Sequence, residues 1–288
     1  MESSKTLVVC GATGRQGGAV VRHGLAGGWH VRGLTRSPAG AKARALAALG
    51  VEVVGADMGD RGSLERAFGG AHGVFSVQNP MISGLRDEVA QGKTVARAAA
   101  AVGVRHLVYA SAGTGEPTGV GSWDSKLAVE EELGTLDLPV TVLRPMAFME
   151  LMTDRAYFPP ASTWHVMPKL MGARAPVVWL AVDDMGAIVA KAFGDPGRFT
   201  GQTLSLAADV RSIDECRAIF KEVRGRPPAR VPMPVALFER LVGTDLTTMW
   251  RWLRTGRYPL ETRPTREIHP DALTVREWLQ RRATRSRR

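Results

Sequence analysis

Three glycines, Gly11, Gly14 and Gly17, stand in the run TLVVCGATGRQGGAVV, where a short apolar stretch gives way to a helical pattern. Glycine has no β-carbon, and the spacing G-x-x-G-x-x-G gives each of the three its own task. The first lets the chain turn sharply off a strand. The second lets a ligand approach bare main chain. The third lets the following helix pack close to the sheet. A helix opening on such a turn presents unpaired amides and a partial positive charge, which suits a diphosphate. The pattern therefore points to a dinucleotide; the other reading is a tight turn with no ligand.

Further along, GLTRSP puts Arg36 just past the second apolar run. Sites for NAD usually carry Asp or Glu there, bonded to the ribose 2′-hydroxyl. A guanidinium meets a 2′-phosphate instead, so NADP(H) is expected ahead of NAD(H). Lys42 and Arg44, a turn later, add positive potential. An ordinary surface arginine is the competing reading. Asp57, in GADMGD, either accepts from an adenine amino group or caps the following turn. Met58 is placed to lie against an adenine ring. Gln78 and Asn79, in SVQNP, carry amides able to bond a ribose or the diphosphate, and Pro80 then forces the chain out of its strand.

The elements that must hold these residues alternate. TLVVCGA, HVRGLTR, VEVVGAD, GVFSVQN, RHLVYASA and PVTVLRP read as strands. Between them GGAVVRHGLAGG, PAGAKARALAALG, RGSLERAFGG, LRDEVAQGKTVARAAAAVG and SWDSKLAVEEELGTL read as helices, the second with Pro38 near its start and Gly50 past its end. Strands that are apolar on both faces belong to a parallel sheet covered on both sides. The expected fold is therefore α/β, a Rossmann doubly wound parallel sheet over residues 1–150. Residues 151–288 are expected to form a smaller, mostly helical C-terminal lobe for substrate or interaction, with some return to the sheet. In it PVVWLAV and QTLSLAA read as strands, and DDMGAIVAKAFG, SIDECRAIFKEVRG, PVALFERLVGTDLTTMWRWLRTG and DALTVREWLQRR as helices.

The bulk figures narrow the setting. The chain has 288 residues, 44% apolar and 23% charged, enough apolar material for a sizeable core. Its 2 cysteines, Cys10 and Cys216, form neither a disulfide framework nor a metal-ligand spacing. A reducing, cytoplasmic location is expected, with no membrane span and no secretory leader. The 6 histidines are scattered, so no metal site is assigned. A formal charge of +10 suits an anionic ligand, and part of it lies in the tail RRATRSRR. Nucleic acid is not the expected partner, because no recognition motif accompanies the charge.

Taken together, GATGRQGG, LTR, GADMGD, QGKTVARAAAAVGVRHLVYASA, SKLAVEEEL and VTVLRPMAFME resemble the NmrA-like proteins, atypical members of the short-chain dehydrogenase/reductase superfamily. The resemblance extends nearly the whole chain, to DALTVREWL. It implies cofactor contacts at Gly11, Thr13, Gly14, Arg15, Gln16 and Gly17, at Arg36, Asp57, Met58, Gln78 and Asn79, and at Lys126. Met146, Ala147 and Phe148 would flank the nicotinamide end.

The superfamily's usual device is Tyr-x-x-x-Lys, in which the lysine bonds the nicotinamide ribose and the tyrosine is the acid or base. Lys126 is present in GSWDSKLAVE, but Ser122 stands four residues before it, with Trp123 beside it. Ser111 falls where the superfamily keeps a substrate-orienting serine. A serine has no useful acidity near neutrality without a base beside it. Tyr109 lies inside a strand and suits the core; Tyr157 and Tyr258 lie in the second half. Two functions follow. One is an NADPH-dependent oxidoreductase giving hydride to a small electron-poor acceptor, a quinone, enone or imine-like carbon, the proton coming from water or Lys126. The other is a non-catalytic NADP(H)-binding redox sensor acting through a protein partner. The partners expected are thus a small apolar or aromatic substrate, or a regulatory protein or second copy of the chain.

Trp164, His165 and Met167 are candidates for an aromatic substrate wall or for packing within the lobe. Trp250 and Trp252 are candidates for core or for a partner surface. GEPTG, Gly115–Gly119, reads as a mobile loop with lid potential or as a plain turn.

Overall fold

The computed structural model describes residues 5–154, 162–229 and 232–285. The chain alternates through β1 (Thr6–Val9), α1 (Arg15–Ala26), β2 (His30–Thr35), α2 (Ala41–Ala47), β3 (Glu52–Gly55), α3 (Arg61–Phe68) and β4 (Gly73–Ser76). It continues with α4 (Pro80–Ser83), α5 (Leu85–Ala101), β5 (His106–Ala110), α6 (Gly121–Leu133) and β6 (Val140–Pro145). A short strand β7 (Ala147–Phe148), a 3-10 turn (Met149–Met152), a π-helical turn (Ser162–Val166), α7 (Met167–Met171) and β8 (Val177–Leu180) follow. Then come α8 (Val182–Gly194), α9 (Pro196–Phe199), β9 (Thr203–Leu206), β10 (Asp209–Arg211) and α10 (Ile213–Arg224). The last helices are α11 (Val235–Val242), α12 (Asp245–Leu253), α13 (Arg263–Ile268) and α14 (Val275–Arg285).

Two compact units result. The first takes the chain up to Gly115, Ser122–Arg144 and Met185–Leu204; the second takes Glu116–Gly121, Pro145–Asp184 and the chain from Ser205 on. The polypeptide leaves the first unit after β6 and returns to it through α8, so no single cut separates the two.

In the first unit the sheet order is β3-β2-β1-β4-β5-β6-β9. β1 pairs in parallel with β2 (Val8 opposite Arg32) and with β4 (Val8 opposite Val74), and the parallel pairing runs on to β6. The reversal of winding falls between β1 and β4, the switch point of a doubly wound sheet. β4 and β5 are buried at every residue, as central strands covered on both faces must be. One core layer joins strand residues Val8, Val74, Leu107 and Tyr109 to Phe68 of α3, Val95 of α5 and Val129 of α6. On the other face α1 meets α8 so closely that a β-carbon on Gly186 would lie 2.7 Å from that of Ala19.

In the second unit β8 lies between β10, antiparallel, and β7, parallel. This small sheet joins helices that the sequence led us to expect; β7 and β10, of two and three residues, are too short to leave an alternating pattern. α10 begins on a capping box formed by Ser212 and Glu215. Two helix boundaries differ from the expected ones. PVALFERLVGTDLTTMWRWLRTG is two helices, because Gly243 takes φ +82° and breaks the run between α11 and α12. Pro38 precedes α2 instead of opening it, since Gly40 turns back on the Ser37 carbonyl and caps the helix.

Among the described residues no helix is long and apolar enough to cross a membrane, and no group of three or more His, Cys, Asp or Glu is arranged to hold a metal ion. Both cysteines are free and buried, and burial pushes the Cys10 thiol up to about 12.

Candidate functional site

The glycine turn is built from steric necessity. Gly11 takes φ +64°, and its carbonyl accepts from the Gly14 amide at 2.8 Å. Gly14 caps α1 in an extended conformation, with no side-chain cap and no acidic residue in the first turn. A helix start of this form favours an anion beyond the turn. A β-carbon on Gly17 would lie 2.2 Å from the Gly11 carbonyl oxygen, so the close seating of α1 on the turn admits no side chain there. Gln16 brings a buried side-chain oxygen that has no hydrogen-bond partner among the described residues.

Because β1 to β5 are parallel, the residues that follow their C-terminal ends share one edge of the sheet. In spatial order these are Asp57 after β3, Arg36 after β2, Gly11 after β1, Gln78 after β4 and Ser111 after β5. At the usual strand separation the row extends about 20 Å. Arg36 is exposed and makes no hydrogen bond or ion pair among the described residues. Asp57 closes a turn, one carboxylate oxygen accepting from the Gly59 amide at 2.7 Å. Of its two readings, turn formation is the one visible in its contacts. Met58 is half-buried, and its sulfur lies 3.6 Å from the Gln78 amide nitrogen. That nitrogen also donates to Ser76 at 3.1 Å, whereas the buried Gln78 side-chain oxygen has no partner among the described residues. Asn79 is exposed and caps α4, its oxygen accepting from the Met81 amide at 3.0 Å.

Lys126 sits on the buried face of α6. Its ammonium donates to Glu88 Oε1 at 2.8 Å and to the main-chain oxygen of Gln78 at 3.2 Å. An ammonium has three hydrogens, and the third has no partner among the described residues. Ser122, at the usual tyrosine position, is half-buried in the first turn of α6. Ser111 is buried and gives its hydroxyl hydrogen to Glu130, which Arg144 also holds, Nε to Oε1 at 3.0 Å. Arg144 reaches on to the Thr114 carbonyl at 3.2 Å. Gly115, at φ +85°, leaves room for that guanidinium; a β-carbon there would overlap it at 2.0 Å. The first residue of GEPTG is thereby held at its start. Tyr109 is wholly buried, and burial first, then the charges of Glu88 and Glu130, raise its phenol well above the ordinary value.

Three participants were not foreseen: Glu88, Glu130 and Arg144. Glu88 lies with Asp87 in the first turn of α5, where acids complement the helix dipole whatever else they do. The available signal was its place on the buried stripe Glu88, Gly92, Val95, Ala96, Ala99.

In the second unit Ala147 and Phe148 are buried in β7, paired with Trp179 and Leu180 of β8, and Met146 immediately precedes them. Trp164 is buried, donates to the Met152 carbonyl at 3.1 Å and stacks edge-on to Phe220. Met167 and Trp250 are buried as well, the latter against Phe238. These side chains pack the unit's own core. Tyr258 is buried and donates to the Pro176 carbonyl at 2.6 Å, and burial raises its phenol. Tyr157 lies outside the described residues.

The first unit fits a dinucleotide on its own features: a cradle that a β-carbon at Gly17 would fill and, among the described residues, two buried amide oxygens and one ammonium hydrogen without a partner. These features define a Rossmann-type nucleotide-binding fold. The chain belongs to the NmrA-like family, whose profile it matches over residues 3–279. It is 30% identical over 249 residues to the NmrA-like family domain-containing oxidoreductase FrzB of Cladobotryum sp, covering 76% of this chain and 74% of that one. The fold is shared with the Citrobacter sp. triphenylmethane reductase complexed with NADP(H), at TM-score 0.79 and 20% identity, covering 97% of this chain and 99% of that one. It is also shared with NmrA, a negative transcriptional regulator, in complex with NADP, at TM-score 0.75 and 23% identity, covering 97% and 95%.

Proposed function

We propose that the protein is an NADP(H)-dependent oxidoreductase acting on a small electron-poor acceptor such as a quinone, an enone or an imine-like carbon. The observation that carries this reading is the row along the sheet edge, with Arg36, whose guanidinium has no partner among the described residues, toward one end and Lys126, with one hydrogen unspent among them, beside Gln78 toward the other. The kinship with curated oxidoreductases such as FrzB supports it.

In this reading Arg36 holds the 2′-phosphate, the Gly11–Gly17 turn and the amides of α1 hold the diphosphate, and Lys126 holds the nicotinamide-side ribose. When bound, NADPH supplies the hydride. The chain's own part is binding and orientation. Ser122 replaces the usual phenol and Tyr109 is wholly buried within its strand, so neither is placed to supply acid catalysis. An acceptor that stabilises charge after hydride arrival, and then takes a proton from water, matches that endowment. Purified protein with NADPH and a panel of quinones and enones should consume the reduced nicotinamide absorbance with at least one acceptor.

A second reading is favoured by the missing phenol and by Ser111, whose hydrogen is committed to Glu130. It is a redox sensor that binds NADP(H) and turns nothing over, as the regulator NmrA binds NADP. Tight coenzyme binding with no turnover across the whole panel would select it.

A further inference from the structure

Glu88 is fully buried on α5, and both its carboxylate oxygens are taken by α6: Oε1 by the Lys126 ammonium at 2.8 Å and Oε2 by the Ser125 hydroxyl. The second ammonium hydrogen goes to the Gln78 carbonyl at the end of β4. Lys126 is thus fixed from two sides, and one direction remains for its third hydrogen. As a means of docking two helices this arrangement is inefficient, because desolvation cancels much of the attraction in a buried ion pair. Nor is it required for docking. α5 and α6 already meet at Gly92, where a β-carbon would lie 2.5 Å from Val129. A buried charge that adds little to packing calls for another role.

We propose that Glu88 is a positioning residue for the coenzyme: it locks the Lys126 side chain so that the remaining N–H meets the hydroxyls of the nicotinamide-side ribose. This rests on the NADP(H) reading and deepens it. Discrimination between the whole coenzyme and its adenosine half then depends on a residue that touches neither.

The test is Glu88→Gln in the full chain, an amide of the same shape without the charge. Calorimetry is run with NADPH and with adenosine 2′,5′-bisphosphate, which keeps the 2′-phosphate and lacks the nicotinamide-side ribose. The expected result is about a tenfold weaker Kd for NADPH, the loss of a hydrogen bond from a charged group, with the bisphosphate Kd unchanged. Equal weakening for both ligands would mean general loosening of the unit and would overturn the proposal, as would an unchanged NADPH affinity. Wild-type protein that binds neither ligand would instead overturn the coenzyme reading, and the role of Glu88 with it. Should Glu88→Gln fail to fold, Ser125→Ala removes the hydroxyl that orients the carboxylate while keeping its charge. NADPH should then weaken by about threefold with the bisphosphate unaffected; a folded Ser125→Ala variant with wild-type NADPH affinity would overturn the proposal.

Discussion

A β-carbon on Gly17 would lie 2.2 Å from the carbonyl oxygen of Gly11, whereas one on Gly18 would lie 3.6 Å from its nearest neighbour, the Ala12 carbonyl. Two adjacent glycines at the head of one helix therefore carry opposite constraints. Gly17→Ala must push α1 off the turn. It should lower unfolding free energy in urea by about 3 kcal/mol, as overpacking against rigid main chain does, and remove NADPH binding. Gly18→Ala meets ordinary contact distances inside a helix, so it should hold stability or raise it by up to about 1 kcal/mol and leave binding intact. Matching behaviour of the two variants would contradict the seating of α1 described here.

Arg36 is the exposed cation at the end of β2 with no bond to other described residues. Its replacement should therefore disturb the fold little. Arg36→Asp should weaken NADPH by about tenfold to a hundredfold, the range of a charge-assisted hydrogen bond, and change NADH far less. Fluorescence titration with both coenzymes reads the ratio. A parallel loss for the two would mean that Arg36 does not meet the 2′-phosphate.

Much of the first unit was legible because its signals are local. The glycine spacing, the apolar strands and the position of Arg36 after β2 each announce themselves within a few residues. Gly243 could have been read as a helix break, but the apolar periodicity on either side of it is continuous enough to hide one residue's φ. The partners of Lys126 and Ser111 were illegible for a different reason. Glu88 precedes Lys126 by 38 positions and Glu130 follows Ser111 by 19, and nothing in a chain of many acids says which of them the packing will bury. β7 and β10 stayed hidden because two or three residues have no period to detect.

The same ion pair allows stability to be separated from binding. Lys126→Met should destabilise by about 3 kcal/mol, since it strands a fully buried carboxylate. Adding Glu88→Gln to it removes the stranded charge and should recover most of that loss, giving a coupling of more than about 1 kcal/mol in a double-mutant cycle read by urea unfolding. The double variant should still bind NADPH weakly, because the ammonium is gone. Recovery of both properties together would mean that Lys126 makes no contact with the coenzyme.

His106, buried in β5, gives the stability a pH dependence that can be worked out from its contacts. Thr141 donates its hydroxyl hydrogen to the Phe199 carbonyl at 2.7 Å, so its oxygen must accept from His106 Nε2, 2.8 Å away. The neutral ring therefore carries its proton on Nε2, and the buried Nδ1 has no partner among the described residues. Protonating Nδ1 would bury an unsatisfied cation, and burial accordingly lowers this group from 6.5 to about 4. The unfolded chain then takes up a proton that the folded chain refuses between those two values, so stability rises with pH across that window. As pH falls from 6.5 to about 4 the fold should lose up to about 3 kcal/mol from this group, with no further loss from it below. His72 shifts in the same direction, through burial and then the positive charges of Arg105 and Lys5, and adds a slope of the same sign. Urea unfolding of wild type and His106→Gln at pH 7 and at pH 4 isolates the larger part. The Gln amide can still donate to Thr141 but takes up no proton, so the gap between the two proteins should narrow or reverse at the lower pH. A gap that is identical at both would show that the folded protein admits the charge on His106 as readily as the unfolded chain does.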